Sequence, residues 1–81
     1  MKRAHIEIKY GFYQTEPGQY LATVCVIDHT NPEVKDRWIY APSPVNDPNT
    51  AMELATTMGH SIMEMLRLFG VISHVQNVDL N

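Results

Sequence analysis

From about Pro48 to Phe69, the apolar residues Ala51, Leu54, Ala55, Met58, Ile62, Met65, Leu66 and Phe69 recur at the three-and-four spacing of one helix face. At about 100° per residue they span roughly a third of the circumference, which predicts one long amphipathic helix. Such a stripe needs a sheet to bury it. Ahead of it, His5 to Tyr13 alternates, with Ile6, Ile8, Tyr10 and Phe12 on one side and His5, Glu7, Lys9 and Tyr13 on the other, the pattern of a half-buried strand. Pro17-Gly18 supplies a turn, proline setting φ and glycine accepting a positive one. Gln19 to Asp28 reads as a second strand that is apolar on both sides: Tyr20, Ala22, Val24 and Val26 against Leu21, Thr23, Cys25 and Ile27. That composition predicts a central position in a sheet.

His29-Thr30-Asn31-Pro32 marks a further turn, and Arg37 to Ala41 a short third strand carrying Trp38, Ile39 and Tyr40. The prolines of Ala41 to Pro48 lack donors and hold the preceding residues extended, so this stretch is expected to be a stiff connection outside the ladder. Two start signals precede the helix: Asp47 as cap with Pro48 at the first helical position, and Thr50 with Glu53 as a capping box. The Asp47 start is favoured. Gly70 suits a left-handed cap, and Val71 to Leu80 is expected to form a short last strand at an edge or beside a partner. The expected fold is therefore a single α+β domain over residues 1–81, with a three- or four-stranded, mainly antiparallel sheet in β-β-β-α-β order and the helix on one face.

If the first hairpin pairs even-numbered with even-numbered residues, the even sides of both strands lie under the helix, and a one-residue shift swaps which half of strand two is buried. Either way an apolar half of strand two lacks helical cover. It lies under a loop or the C-terminal segment, or it meets a second subunit or a target. Met52, Gly59 and Met63 widen the apolar helix surface on one flank, with Glu53, His60, Glu64 and Arg67 on the polar side. Glycine inside a helix costs about 1 kcal/mol relative to alanine, which close approach of another backbone would offset. That backbone belongs either to the chain's own sheet or to a partner, so Met52, Gly59 and Met63 are candidate dimer contacts.

With 81 residues, the chain buries only roughly 60 to 65% of its unfolded surface, and its single cysteine, Cys25, allows no internal disulfide. Homodimerisation or partner binding is the expected source of added stability, in a reducing, cytoplasmic setting. The residues after Met1-Lys2-Arg3-Ala4-His5 alternate instead of forming the apolar run of a signal peptide, and no run reaches membrane-span length. Six Lys and Arg against nine Asp and Glu leave a formal charge of −3, a poor general match for nucleic acid. Lys35 and Arg37 beside Trp38 are the residues through which a nucleic-acid contact would run.

Chemistry is thinly represented. His60 and Glu64 share a helix face but lack a third partner, and a solvated ion pair with Arg67 nearby accounts for them. His5 and His29 lie across the hairpin in the favoured register, yet two imidazoles fall short of a zinc set. Cys25, mid-strand and without a placed base, reads as a small buried hydrophobe, and neither Ser43 nor Ser61 has an activating motif. No catalytic, metal or cofactor site is expected.

In element order the chain resembles the amino-terminal domain of HicB-type antitoxins over about His5 to Gly70, with Gly18-Gln19-Tyr20 opening the second strand, then a third strand and the helix. Where that family carries an acidic, proline-bearing segment ending in Gly-Cys, this chain has Trp38-Ile39-Tyr40-Ala41-Pro42-Ser43-Pro44, so no functional residue carries over. The resemblance implies an antitoxin-like or nucleic-acid-associated regulator as the second reading. The first is a non-enzymatic protein-binding module that acts stoichiometrically as an inhibitor or adaptor of a larger protein or complex, in the manner of phage-type inhibitors such as anti-CRISPR proteins. Trp38, Tyr40, Pro42 and Pro44 are its expected contact residues, since aromatics bring area with few rotors and prolines lower the entropy lost on binding. The alternative for Trp38 is closure of the core beneath the helix.

Overall fold

The computed structural model describes the backbone at positions 4–31, 33–68 and 72–79, and side chains at 5–31 and 33–68. The chain is α+β: a three-stranded antiparallel sheet, then a helix, in β-β-β-α order. Strand β1 spans Ala4–Glu16, β2 Gln19–Asp28, β3 Arg37–Tyr40, and helix α1 Pro48–Leu68. A further strand, β4 at Ile72–Asp79, runs parallel to β1, and the sheet order is β3-β2-β1-β4. Strand β2 is thus internal, as its two apolar sides require. Phe69 at the end of the helical stripe and the Gly70 cap lie outside the described residues.

The hairpin pairs even with even: Ile8 opposite Val26, Tyr10 opposite Val24, Phe12 opposite Ala22. Strand β1 continues past the alternating segment to Glu16, because the ladder follows the turn and not the hydrophobic pattern. A register shift at Thr15, between the Gln14–Tyr20 and Glu16–Gln19 pairs, brings the strand into the two-residue turn, where Gly18 takes φ of 77°. A side chain at that φ would be strained.

Ile6, Ile8 and Val24 form the core under the helix, packed by Met58, Ile62, Met63 and Leu66, and Ala22, Ala41 and Ala55 form a second cluster beside it. Of the expected stripe, Ala51, Ala55, Met58, Ile62 and Leu66 face the sheet, and the buried arc is shifted toward Gly59 and away from Leu54 and Met65. Leu54 and Met65 are exposed, Met65 by 54%, whereas the fully buried helix positions are Ala51, Ala55 and Gly59. These small residues, four apart, let the helix backbone approach the sheet, and the larger apolar side chains straddle the contact. Gly59 in particular lies over β1: a Cβ there would sit 3.6 Å from Ile8 Cγ2 and 3.8 Å from Tyr10 Cδ1. The close approach that glycine permits is to the chain's own sheet. Gly59 is therefore withdrawn from the candidate dimer flank, leaving half-buried Met52 and Met63, the latter packed on the core.

The helix starts at the Asp47 cap. Asp47 Oδ2 accepts from Thr50 N–H at 3.1 Å and from Thr50 Oγ1 at 2.8 Å, and the Asp47 carbonyl accepts from Ala51 N–H at 3.1 Å. The Thr50 hydroxyl bond, with backbone donors from Thr50 and Asn49, holds the Asp47 carboxyl below its ordinary pKa. The capping contribution is then present above the unfolded-state pKa and lost as pH falls through the lower folded one. Asp47→Ala should lower the melting temperature at pH 7, and its gap to the parent should close as pH falls through and below the ordinary carboxylate range. Asp47→Asn, still an acceptor, should keep most of the cap and lose that acid dependence. A gap independent of pH in thermal melts would count against the assignment.

The connection after β3 does not leave the sheet altogether. Ala41 N–H donates to the Ala22 carbonyl at 3.0 Å, and Val45 and Tyr20 exchange backbone bonds of 2.7 and 2.8 Å. Pro42, Ser43 and Pro44 form an exposed excursion between those two contacts, so prolines without donors occupy positions where none is used.

Candidate protein-binding face

The helix covers the even-numbered side of the hairpin, and the odd-numbered side carries the candidate site. There the register aligns Lys9, Cys25 and Trp38 across β1, β2 and β3, and beside them Gly11, Thr23 and Tyr40. Trp38 is 52% exposed, Tyr40 50% and Tyr13 46%. Tyr13 meets Tyr40 edge to face, ring centroids 6.1 Å apart at 85°, a favourable arrangement of ring quadrupoles. The result is a row of half-exposed aromatics on a sheet face turned away from the helix. Trp38 belongs to this face and does not close the core.

Beneath the aromatics lie the most buried residues of this side. Cys25 is 2% exposed, between Lys9 and Trp38 in register, and Thr23 is buried with its hydroxyl donating to the Ile39 carbonyl at 3.2 Å. That bond satisfies the hydroxyl and ties β2 to the edge strand. Burial raises the Cys25 thiol pKa, Asp36 and Glu7 add to the rise, and Lys9 opposes it, so the net direction favours the protonated thiol.

At the far end of the same face, His5 and His29 stack obliquely, centroids 5.4 Å apart, and His29 Nε2 lies 3.0 Å from Glu7 Oε1. Their backbones are fixed by His29 N–H to the His5 carbonyl at 2.9 Å and His5 N–H to the Thr30 hydroxyl at 2.6 Å. Asp28 shapes the turn that follows, its Oδ1 accepting from Thr30 N–H and Asn31 N–H at 2.9 and 3.3 Å. On the helix, Glu64 pairs with Arg67 at 3.1 Å, both exposed, and His60 is exposed as well. Among the described residues no group of three His, Cys, Asp or Glu side chains is arranged to hold a metal ion, and no helix is long and apolar enough to cross a membrane.

The candidates read from sequence are thus partly brought together. Trp38 and Tyr40 share the aromatic row, while Pro42 and Pro44 are exposed just beyond it. Arg37 goes elsewhere. Its partner is Val26, on the helix side, where Arg37 and Lys35 line a half-open cleft of about 220 Å³ with Ile6, Val26, Asp28, Val34 and Leu66. Lys35 and Arg37 therefore do not form one patch with Trp38, because adjacent strand residues point to opposite faces. Tyr13 is the member of the row that pattern reading passed over. Its parity with Lys9 placed it on the right side, but only the pairing of β3 with β2 brings Tyr40 beside it.

Comparison with protein-family models, with curated proteins and with solved structures gave no match for this chain.

Proposed function

We propose that this chain is a stoichiometric protein-binding module, an inhibitor or adaptor of a larger protein or complex, that engages its target with the helix-free face of its sheet. The observation that carries this reading is the row of Tyr13, Tyr40 and Trp38, each close to half-exposed on a face where the helix does not lie. Tyrosine and tryptophan dominate binding energy at protein interfaces because they bury large areas with few rotors to immobilise. The exposed Pro42 and Pro44 extend the same rim in a preset conformation. The reading takes the four strands and the helix as one two-layer unit in which the helix supports the face from behind. Arg37 lies on the other side of the sheet from Trp38, and among the described Lys and Arg residues Lys9 shares the aromatic face, a sparser set of cations than stacking on nucleic acid calls for, which favours a protein target.

Trp38 is the only tryptophan, so its emission reports on this face directly. Capture from cells of the native host should retain one protein or complex in fixed ratio, and mixing that target with the chain should blue-shift Trp38 emission. Tyr40→Ala should weaken binding by about 30-fold or more, equivalent to about 2 kcal/mol for an interface anchor. Trp38→Ala should do the same with a stability change under about 1 kcal/mol, against the roughly 3 to 5 kcal/mol that loss of a core tryptophan costs. Target binding unaffected by both substitutions would remove this face from the proposal. Retention of oligonucleotide, lost steeply with added salt, would favour the regulator reading instead.

A further inference from the structure

Strand β3 is an edge of the sheet, and all of its residues are exposed. Which of its backbone groups are used can be read from the bonds along β2. Ala41 N–H donates to the Ala22 carbonyl and Tyr20 exchanges bonds with Val45, so even-numbered β2 residues bond toward β3 and the segment after it. His29 N–H bonding to the His5 carbonyl puts the odd-numbered ones on the β1 side. Alternation in an antiparallel ladder then makes Val24–Ile39 and Val26–Arg37 the hydrogen-bonded pairs. It leaves the N–H and C=O of Trp38 and Tyr40 directed outward, away from β2.

We propose that this edge pairs antiparallel with β3 of a second copy, about a two-fold axis at Ile39, to make a homodimer with one continuous sheet. The pattern selects that axis. A two-fold pair must match outward-bonding residues with each other, so Trp38 faces the partner's Tyr40, Tyr40 faces the partner's Trp38, and the two Ile39 residues meet as a non-hydrogen-bonded pair. An axis at Tyr40 would set Trp38 opposite Pro42, which has no N–H to donate, and an axis at Trp38 would set Tyr40 opposite Asp36, before the strand begins.

The side chains agree with the backbone. On the helix-free face the pairing brings each Trp38 beside a Tyr40, an aromatic cross-strand pair, while Tyr13 supports Tyr40 from within its own chain. On the helix side, Ile39, 38% exposed in the single chain, is covered by its counterpart. The paired aromatics keep their outer surfaces, so the proposed recognition face runs across both copies. Dimerisation through β3 also suits a domain too small to bury a large fraction of its surface alone. It differs from a dimer through the Met52 and Met63 flank in the surface used.

The test uses the full chain in sedimentation velocity across a concentration series, with Ile39→Lys and Ile39→Glu. The parent should be dimeric at tens of micromolar, an ordinary working range for a small homodimer. Each charged variant should be monomeric, because identical charges meet directly at the axis, and an equimolar mixture of the two should recover a dimer at least about 10-fold tighter than either alone. Ile39→Cys should cross-link between chains on mild oxidation, since a non-hydrogen-bonded pair holds its Cα atoms about 4.5 Å apart, within disulfide reach. That readout decides the matter if a charged variant fails to fold. A monomeric parent, a dimer indifferent to both charges, or an edge that pairs only with an extended segment of a target would each overturn the proposal. Self-association is read by sedimentation of the chain alone, without a target, so its failure is distinguishable from a failure of target binding.

Discussion

Truncating Ile8 to alanine should cost about 2 to 5 kcal/mol of folding stability. Ile8 is fully buried at the centre of the cluster with Ile6 and Val24, under the helix residues Met58 and Ile62. Removing its outer carbons forfeits their transfer out of water and leaves a void that a helix held along its whole length cannot collapse to fill. A chain of 81 residues has roughly 4 to 12 kcal/mol of total stability, so this loss is a large share of it. In thermal melts the midpoint should fall by more than about 10 °C. A change under about 1 kcal/mol in denaturant titration would mean that Ile8 does not sit in the core.

Gly59 should respond in opposite directions to a small and a large side chain. Gly59→Ala should stabilise by about 1 kcal/mol, because alanine is the better helix former and its Cβ would make an ordinary contact, 3.6 Å from Ile8 Cγ2. Gly59→Leu should destabilise by about 1 to 3 kcal/mol, because atoms beyond Cβ run into Ile8 and Tyr10. Ile8→Ala should relieve part of that clash, so the double variant should lose at least about 0.5 kcal/mol less than the two single losses together. Additive losses would show that the two positions do not touch. Were Gly59 to face a second subunit, Gly59→Leu would shift the melting temperature only at concentrations where the dimer forms, whereas a clash with β1 acts on the single chain.

The candidate face was half legible before the fold was known. Alternation in β1 assigns Lys9 and Tyr13 to the side opposite Ile8, and the odd residues of β2 join them once the hairpin is in register. What alternation within one strand does not carry is the partner across the gap. Trp38 and Tyr40 lie on that face only because β3 pairs with β2 at Cys25 and Thr23. A register one residue away would have put Arg37 and Ile39 there and buried the aromatics against the helix side. Lys35, Arg37 and Trp38 read as one basic-aromatic patch because they are neighbours in sequence, and the pleat separates Arg37 from Trp38.

Local chemistry by itself determined the elements: the hairpin at Pro17-Gly18, the helix from its Asp47 cap and Pro48 start, and the even-numbered apolar side of β1. Each depends on residues within a few positions, through φ preference, capping bonds and side-chain period. Only the tertiary structure decided where the edges of the buried helix arc fall and how the outer strands lie. A hydropathy pattern weighs Leu54 above Gly59, but the distance between helix and sheet depends on the smallest side chains at the contact, so Gly59 joined Ala51 and Ala55 on the inward side and Leu54 and Met65 faced outward. The parallel placement of β4 beside β1, and of β3 at the opposite edge, likewise follows from pairings between segments far apart in the chain. Their register is set by contacts that form only when the sheet is assembled.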